Sequence, residues 1–167
     1  VLRWTADHRP LPDLERRNLQ ARRSGTPVCA TLLDFDAFEA IDDTHGHAAG
    51  NRVLQVMAAR IQSICRESDM VERRGGDDFL VVVESFREAS RAEVLGQRLM
   101  ATPEAPVAIG EKRLPVGVSI GAALYPQHGA DASALLAAAD AAMYGIKQRG
   151  GGFGFAADTG PDRKSVV

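Results

Sequence analysis

Four carboxylates sit where side chains can do chemistry. Asp34 and Asp36 close the apolar run of residues 28–33, and Asp77 and Asp78 follow the pair Gly75-Gly76. The second stretch, Val71-Glu72-Arg73-Arg74-Gly75-Gly76-Asp77-Asp78-Phe79-Leu80-Val81-Val82-Val83, reads as strand, tight turn, strand. The glycines supply backbone angles that other residues resist. The unbroken apolar run after Asp78 suits a strand buried on both faces. Adjacent acids on a glycine turn, carried by a rigid strand, can hold a hard cation through oxygen ligands. The same residues also suit an ordinary hairpin with polar turn residues. If the first strand continues through Asp36, alternation puts Asp34 and Asp36 on one side. Acids just beyond an apolar strand often serve chemistry.

The elements that must position these acids are legible in outline. Residues 10–13 mark a turn. Residues 14–23 form a short basic helix whose Arg16, Arg17, Arg22 and Arg23 either meet phosphate or make a solvated face. Residues 37–43 turn as a short helix with Phe38 and Ile41 inward, and residues 44–47 break it. Residues 50–66 are the clearest helix, striped by Val53, Leu54, Met57, Ile61 and Ile64. A second amphipathic helix, 88–100, runs through Val94, Leu95 and Leu99 and ends before Pro103 and Pro106. Residues 107–109 and 114–124 read as strands paired around Gly110-Glu111-Lys112. Tyr125-Pro126 starts a loop, and Asp131 or Ser133 caps an alanine-rich helix reaching Lys147. Gly150-Gly151-Gly152 stops that helix, Phe153 and Phe155 form a last short strand, and the chain frays from Asp158. Helices interleave with strands joined partly by hairpins. This predicts an α/β (α+β) fold with a mixed, mostly antiparallel sheet and helices packed on it. Residues 1–10 read as a linker, 11–157 as one domain and 158–167 as a tail.

Composition narrows the class. The chain has 167 residues, 45% of them hydrophobic and 25% charged, with a formal net charge of −2. That balance is globular and argues against a nucleic-acid polymer or an acidic membrane surface as the main partner. The two cysteines, Cys29 and Cys65, lie in apolar stretches and read as reduced core thiols of a cytoplasmic domain. No apolar run in this fragment approaches a membrane span.

Taken in order, Asp34-Phe35-Asp36-Ala37-Phe38, Gly46-His47 with Gly50, Arg66-x-x-Asp69, Gly75-Gly76-Asp77-Asp78-Phe79, Ser119-Ile120-Gly121 and residues 139–147 (Ala-Asp-Ala-Ala-Met-Tyr-Gly-Ile-Lys) resemble the GGDEF family, the diguanylate cyclase domain. The resemblance runs from about residue 11 to residue 151, with a variant Gly-Gly-Asp-Asp-Phe signature. It implies a central sheet of about five strands wrapped by helices, related to nucleotide cyclase palm domains. It also implies a bacterial second-messenger activity, in which two GTP molecules, one per subunit of an active homodimer, are joined into cyclic di-GMP. Two divalent ions, Mg2+ or Mn2+, would neutralise the triphosphate and lower the pKa of the attacking hydroxyl.

Carried over by position, Asp34, the carbonyl of Phe35, Asp77 and Asp78 bind metal, with Asp77 and Asp78 in the catalytic signature. Asp36 is a second acid at the same strand end. Ala37 and Phe38 present backbone amides to phosphate, Lys147 a positive charge, and His47 lines the substrate or shapes the loop. Asp42 and Asn51 occupy the base-reading positions. Arg66 and Asp69, with Arg98 on the following helix, match the family's inhibitory product site. The alternative there is a helix-end arginine and a turn-forming aspartate. Ser119-Ile120-Gly121 is expected only to build the sheet.

Several departures point toward weak or lost turnover. Asp78 stands where the family has glutamate, retracting its oxygens by roughly 1.5 Å. Residues 8–14 keep only the leucine-proline pair of an early family block. Glu39 replaces a lysine that faces phosphate, and Gly151 replaces an arginine, with Arg149 close by as a substitute. The family's asparagine and aspartate are exchanged as Asp42 and Asn51, which either weakens guanine selectivity or restores the same bonds from swapped positions. The resemblance therefore leaves two readings. One is a magnesium-dependent cyclase of low activity. The other is an inactive module that binds cyclic di-GMP at Arg66 and Asp69, or a nucleotide at the old active site, and regulates a fused or partner signalling domain.

Overall fold

A computed structural model of the chain describes residues 3–4, 12–36, 38–84 and 89–157. The centre is β2 (Val28–Asp36), of which all but Asp36 is buried. Antiparallel to it lie β4 (Asp78–Glu84) on one side and β7 (Gly117–Tyr125) on the other. Beyond β4 comes β3 (Met70–Gly75), antiparallel, and beyond β7 comes β8 (Gly152–Phe155), parallel. A two-residue strand, β1 (Arg3–Trp4), adds to β3 in parallel, so the order is β1-β3-β4-β2-β7-β8. Five strands longer than two residues form the expected mixed, mostly antiparallel sheet. Arg3 and Trp4, read as linker, extend it by one.

Period-two alternation in β2 divides the interior. Leu33 and Phe35 face α3 (His47–Ile64), α4 (Ala89–Met100) and the short α2 (Phe38–His45), in a cluster with Val53, Met57, Ile61 and Leu99. Ala30 and Leu32 face α1 (Pro12–Ser24) and α5 (Ala132–Gln148), with Leu80, Val82, Leu135 and Met143. The parity that sends Ala30 and Leu32 toward α5 carries on to Asp34 and Asp36. Because β2 does continue through Asp36, the two acids emerge together at its end.

Helix α5 is brought onto β7 by an absent side chain. A Cβ at Gly121 would run into the carbonyl of Ala139 and the backbone of Met143. Asp131 caps α5, accepting from the Ala134 N–H at 2.8 Å, so of the two proposed caps Asp131 is the one used. Tight docking at Gly121 sets the position of the C-terminal end of α5, and with it Lys147.

Several expectations are corrected. The clearest helix starts at His47 and ends at Ile64, so Gly50 lies inside it. Residues 114–124 are not one strand. Val107–Ile109 (β5) and Lys112–Leu114 (β6) make their own two-stranded hairpin, and Pro115, which lacks an N–H donor, separates it from β7. Val94 is 60% exposed and does not join the core, which α4 meets through Ala92, Leu95 and Leu99. Cys29 is buried, but Cys65 is only partly so. Residues 5–10, Glu88 and the tail from Asp158 lie outside the described residues. No described helix is long and apolar enough to cross a membrane.

Candidate metal and nucleotide site

Pairing across the sheet brings the predicted acids together. Asp34 in β2 lies directly opposite Asp78 at the start of β4, and Asp77 is the turn residue just before it. Gly75 and Gly76 hold that turn with φ of 121° and 53°, which favours glycine at both positions. The Phe35 N–H donates to the Asp77 carbonyl at 3.4 Å, tying the tip of the hairpin to β2. The ring of Phe35 packs edge-on against Phe79 with centroids 5.6 Å apart, which anchors both strands beneath the acids. One oxygen each from Asp34, Asp77 and Asp78 lie within 4.8 Å of one another. Asp78 reaches this group despite its missing methylene.

The electrostatics are those of a cation site. Asp34 is only 7% exposed. Its Oδ2 accepts from the Lys147 ammonium at 2.5 Å, while its Oδ1 is buried without a hydrogen-bond partner. Burial, then the nearby charge of Asp34, pushes the Asp77 carboxyl up to about 7. Burial and Asp34 also raise Asp78, against the pull of Lys147. Its hydrogen bond to Asp34 holds Lys147 above the usual ammonium range. Three crowded carboxylates facing one ammonium, with a buried oxygen left over, match the hard oxygen donors that Mg2+ or Mn2+ requires.

Asp36 stands apart from this group. The Ser119 hydroxyl donates to its two oxygens at 3.0 and 3.3 Å. Ser119 thus does more than build the sheet: it orients Asp36 from the neighbouring strand. Gly151 explains its own lost arginine. Its φ is 97°, and a Cβ there would meet Asp36 Oδ2 at 3.1 Å and the Val118 carbonyl at 3.2 Å. Arg149 is exposed at the end of α5. Phe38 opens α2, and Glu39 beside it is exposed. Ala37 lies outside the described residues.

Between α2 and α3 the base-reading positions diverge in character. Asp42 Oδ2 lies 3.1 Å from His47 Nδ1, and Asp42 Oδ1 is buried without a partner. Gly50 makes this possible, because a Cβ there would run into the Asp42 carboxylate. That oxygen, Oδ1, is packed against the Cα of Gly50. Asn51 is exposed on α3. The side chain of His47 is 92% exposed, so it packs little and is held through Asp42.

A cleft of about 380 Å³ opens at the far end of β4 from Asp78, lined there by Val83 and Glu84. Arg66, Asp69 and Arg98 line it together, as the sequence spacing suggested. Asp69 Oδ2 also accepts from the Arg66 backbone N–H at 2.7 Å, so the turn-forming role is present as well. Arg91 and Glu84 line the cleft too and were not anticipated. Arg91 lies seven residues before Arg98, a helical spacing that could have revealed it. Arg17, read as phosphate contact or solvated face, instead donates to the Ser68 carbonyl at 3.1 Å and pairs with Glu84 at 3.0 Å. It braces both walls of the cleft from α1. Burial, reinforced by Asp69, pushes the Cys65 thiol beside it up to about 11.

Comparison with known proteins places the chain in a family. The profile of the family described as "Diguanylate cyclase, GGDEF domain" matches residues 11–152. The chain is 36% identical over 137 residues to the bifunctional diguanylate cyclase/cyclic di-GMP phosphodiesterase MucR of Pseudomonas aeruginosa, covering 82% of this chain and 20% of that protein. It is 36% identical over 140 residues to the diguanylate cyclase TpbB of the same organism, covering 83% of this chain and 32% of that protein. The chain thus spans a fifth to a third of these relatives. A solved structure of the GGDEF domain of TpbB superposes with a TM-score of 0.84 at 35% identity, covering 87% of this chain and 86% of that one.

Proposed function

The chain belongs to the GGDEF family of diguanylate cyclase domains, and on that premise we propose that it is a magnesium-dependent cyclase of low turnover, joining two GTP molecules into cyclic di-GMP. The observation that carries this reading is the convergence of Asp34, Asp77 and Asp78 oxygens within 4.8 Å. Asp34, Asp77, Asp78 and the Phe35 carbonyl would hold the metal. A divalent ion bound there neutralises the triphosphate and lowers the pKa of the attacking 3′-hydroxyl. Phe38 offers its backbone N–H to phosphate, and Lys147 offers its ammonium. Asp42 accepts from the N–H edge of guanine while Asn51 and His47 border the base. Condensation needs a second subunit: the 3′-oxygen of each GTP attacks the α-phosphate of the other, so two phosphodiester bonds form and each α–β phosphoanhydride bond breaks. Pyrophosphate leaves.

The low turnover follows from the phosphate end of the site. Glu39 places an acid, and Gly151 no cation, where a triphosphate needs positive charge. Arg66, Asp69 and Arg98 form a product-binding cleft, in which guanidinium forks take phosphate and the Asp69 carboxylate takes a base N–H. This cleft supports a second reading, in which the domain binds cyclic di-GMP without making it and regulates a partner domain. Incubation with GTP and Mg2+ decides between them. Formation of pyrophosphate and cyclic di-GMP, lost in Asp77→Asn, supports the cyclase. No product, together with cyclic di-GMP binding that Arg66→Ala abolishes, supports the binding module.

A further inference from the structure

Lys147 does not wait in solvent for a phosphate. Its ammonium sits on Oδ2 of Asp34, the most buried of the three acids, at 2.5 Å. Its side chain as a whole is half exposed. The ammonium is a compact point charge on a flexible four-carbon stem, so it can leave Asp34 without any backbone change. While it stays, it offsets the charge of Asp34 from Oδ2, and only Oδ1 is left without a partner. A divalent cation at the triad would be repelled by an ammonium already seated on the same carboxylate.

We infer that Lys147 is a resident counter-ion of the acidic triad, and that its transfer from Asp34 to a polyphosphate couples nucleotide binding to metal binding. This rests on the metal and nucleotide reading above. Without nucleotide, a metal would meet a triad whose charge the ammonium already partly offsets. A triphosphate draws the ammonium outward and uncovers Asp34, so metal and nucleotide each favour the other's binding. Such coupling is reciprocal: each ligand strengthens the other by the same factor. No bond is made or broken in this exchange.

The test uses the intact chain and Mn2+, first alone and then with a non-hydrolysable GTP analogue, followed by calorimetry and Mn2+ electron paramagnetic resonance. Lys147→Met should bind Mn2+ alone about fivefold or more tightly than the wild type. Lys147→Arg, which keeps the charge, should not. Arg149→Met, which removes a cation two residues away, should leave Mn2+ affinity near the wild-type value. The factor by which Mn2+ improves analogue binding should be smaller in Lys147→Met than in the wild type. Complexation of Mn2+ by the analogue in solution is common to both proteins and cancels in that comparison. In EDTA the thermal midpoint of Lys147→Met should drop, and Mn2+ should restore it. Wild-type Mn2+ binding with unchanged or weaker binding by Lys147→Met overturns this inference alone. No Mn2+ binding by any variant overturns the metal reading and this inference with it.

Discussion

Removing one acid from the triad should stabilise the metal-free protein, and Asp77→Asn is the change that measures this. Asp77 is held at about 7 by burial and by Asp34, against an ordinary value of 3.8. Moving a carboxyl that far is worth about 4 kcal/mol at full strength. Asp77 is only partly buried, so solvent screening reduces this to about 2 kcal/mol. The folded state keeps the Asp77 proton between pH 4 and 7 while the unfolded chain loses it. The wild type therefore loses stability as pH rises through that window, and the loss levels off above pH 7. Asparagine, isosteric and uncharged, is exempt. In EDTA, Asp77→Asn should match the wild type near pH 4 and exceed it by about 2 kcal/mol above pH 7. For a chain of this size that is about 4–8 °C in thermal midpoint. Saturating Mg2+ should reverse the order, because a ligand present at about 100 times its dissociation constant adds about 2.7 kcal/mol to the protein that binds it. Thermal melts from pH 4 to 8, in EDTA and in Mg2+, read all of this. If Asp77→Asn melts lower than the wild type at pH 8 in EDTA, or gains as much from Mg2+, the acids are not mutually repelling ligands of a shared cation.

Two further outcomes follow from close backbone approaches. Gly121→Ala should cost about 1–3 kcal/mol by overpacking, since its Cβ meets the α5 backbone at Ala139 and Met143. Because the same contact sets Lys147, Mn2+ affinity should change as well, and denaturant unfolding beside a metal titration checks both. Gly151→Arg, which restores the family's cation in sequence, should not restore turnover. It places an arginine at φ 97° against Asp36, costing about 1–2 kcal/mol for the left-handed backbone alone. A rise in cyclic di-GMP formation in that variant would show that the loop can readjust around the side chain.

The periodic features were read correctly because they are local. The buried run of residues 79–83, the glycine turn before Asp77, and the alternation through Asp34 and Asp36 each depend on neighbours within a few residues. The stripe of α3 was legible for the same reason, though its start lay three residues earlier, at His47. The split at Pro115 was missed because an alternating apolar pattern runs across it, and only the missing donor marks the break. Val94 was misassigned because helical spacing groups it with Leu95 and Leu99, and spacing alone does not tell which edge of an apolar stripe faces a cleft. Ser119 was read as framework because its partner, Asp36, is 83 positions away.

The sequence by itself determined the acids, the turn that carries two of them and the face of β2 that carries the other. These are consequences of backbone geometry, which repeats every few residues. The tertiary structure alone decided which cation answers them. Lys147 is 113 residues from Asp34, and Arg17 is 51 from Ser68. Long flexible side chains have no period linking them to a distant partner. Their pairings exist only once strand order and the close contact at Gly121 have brought α5 over the end of β2.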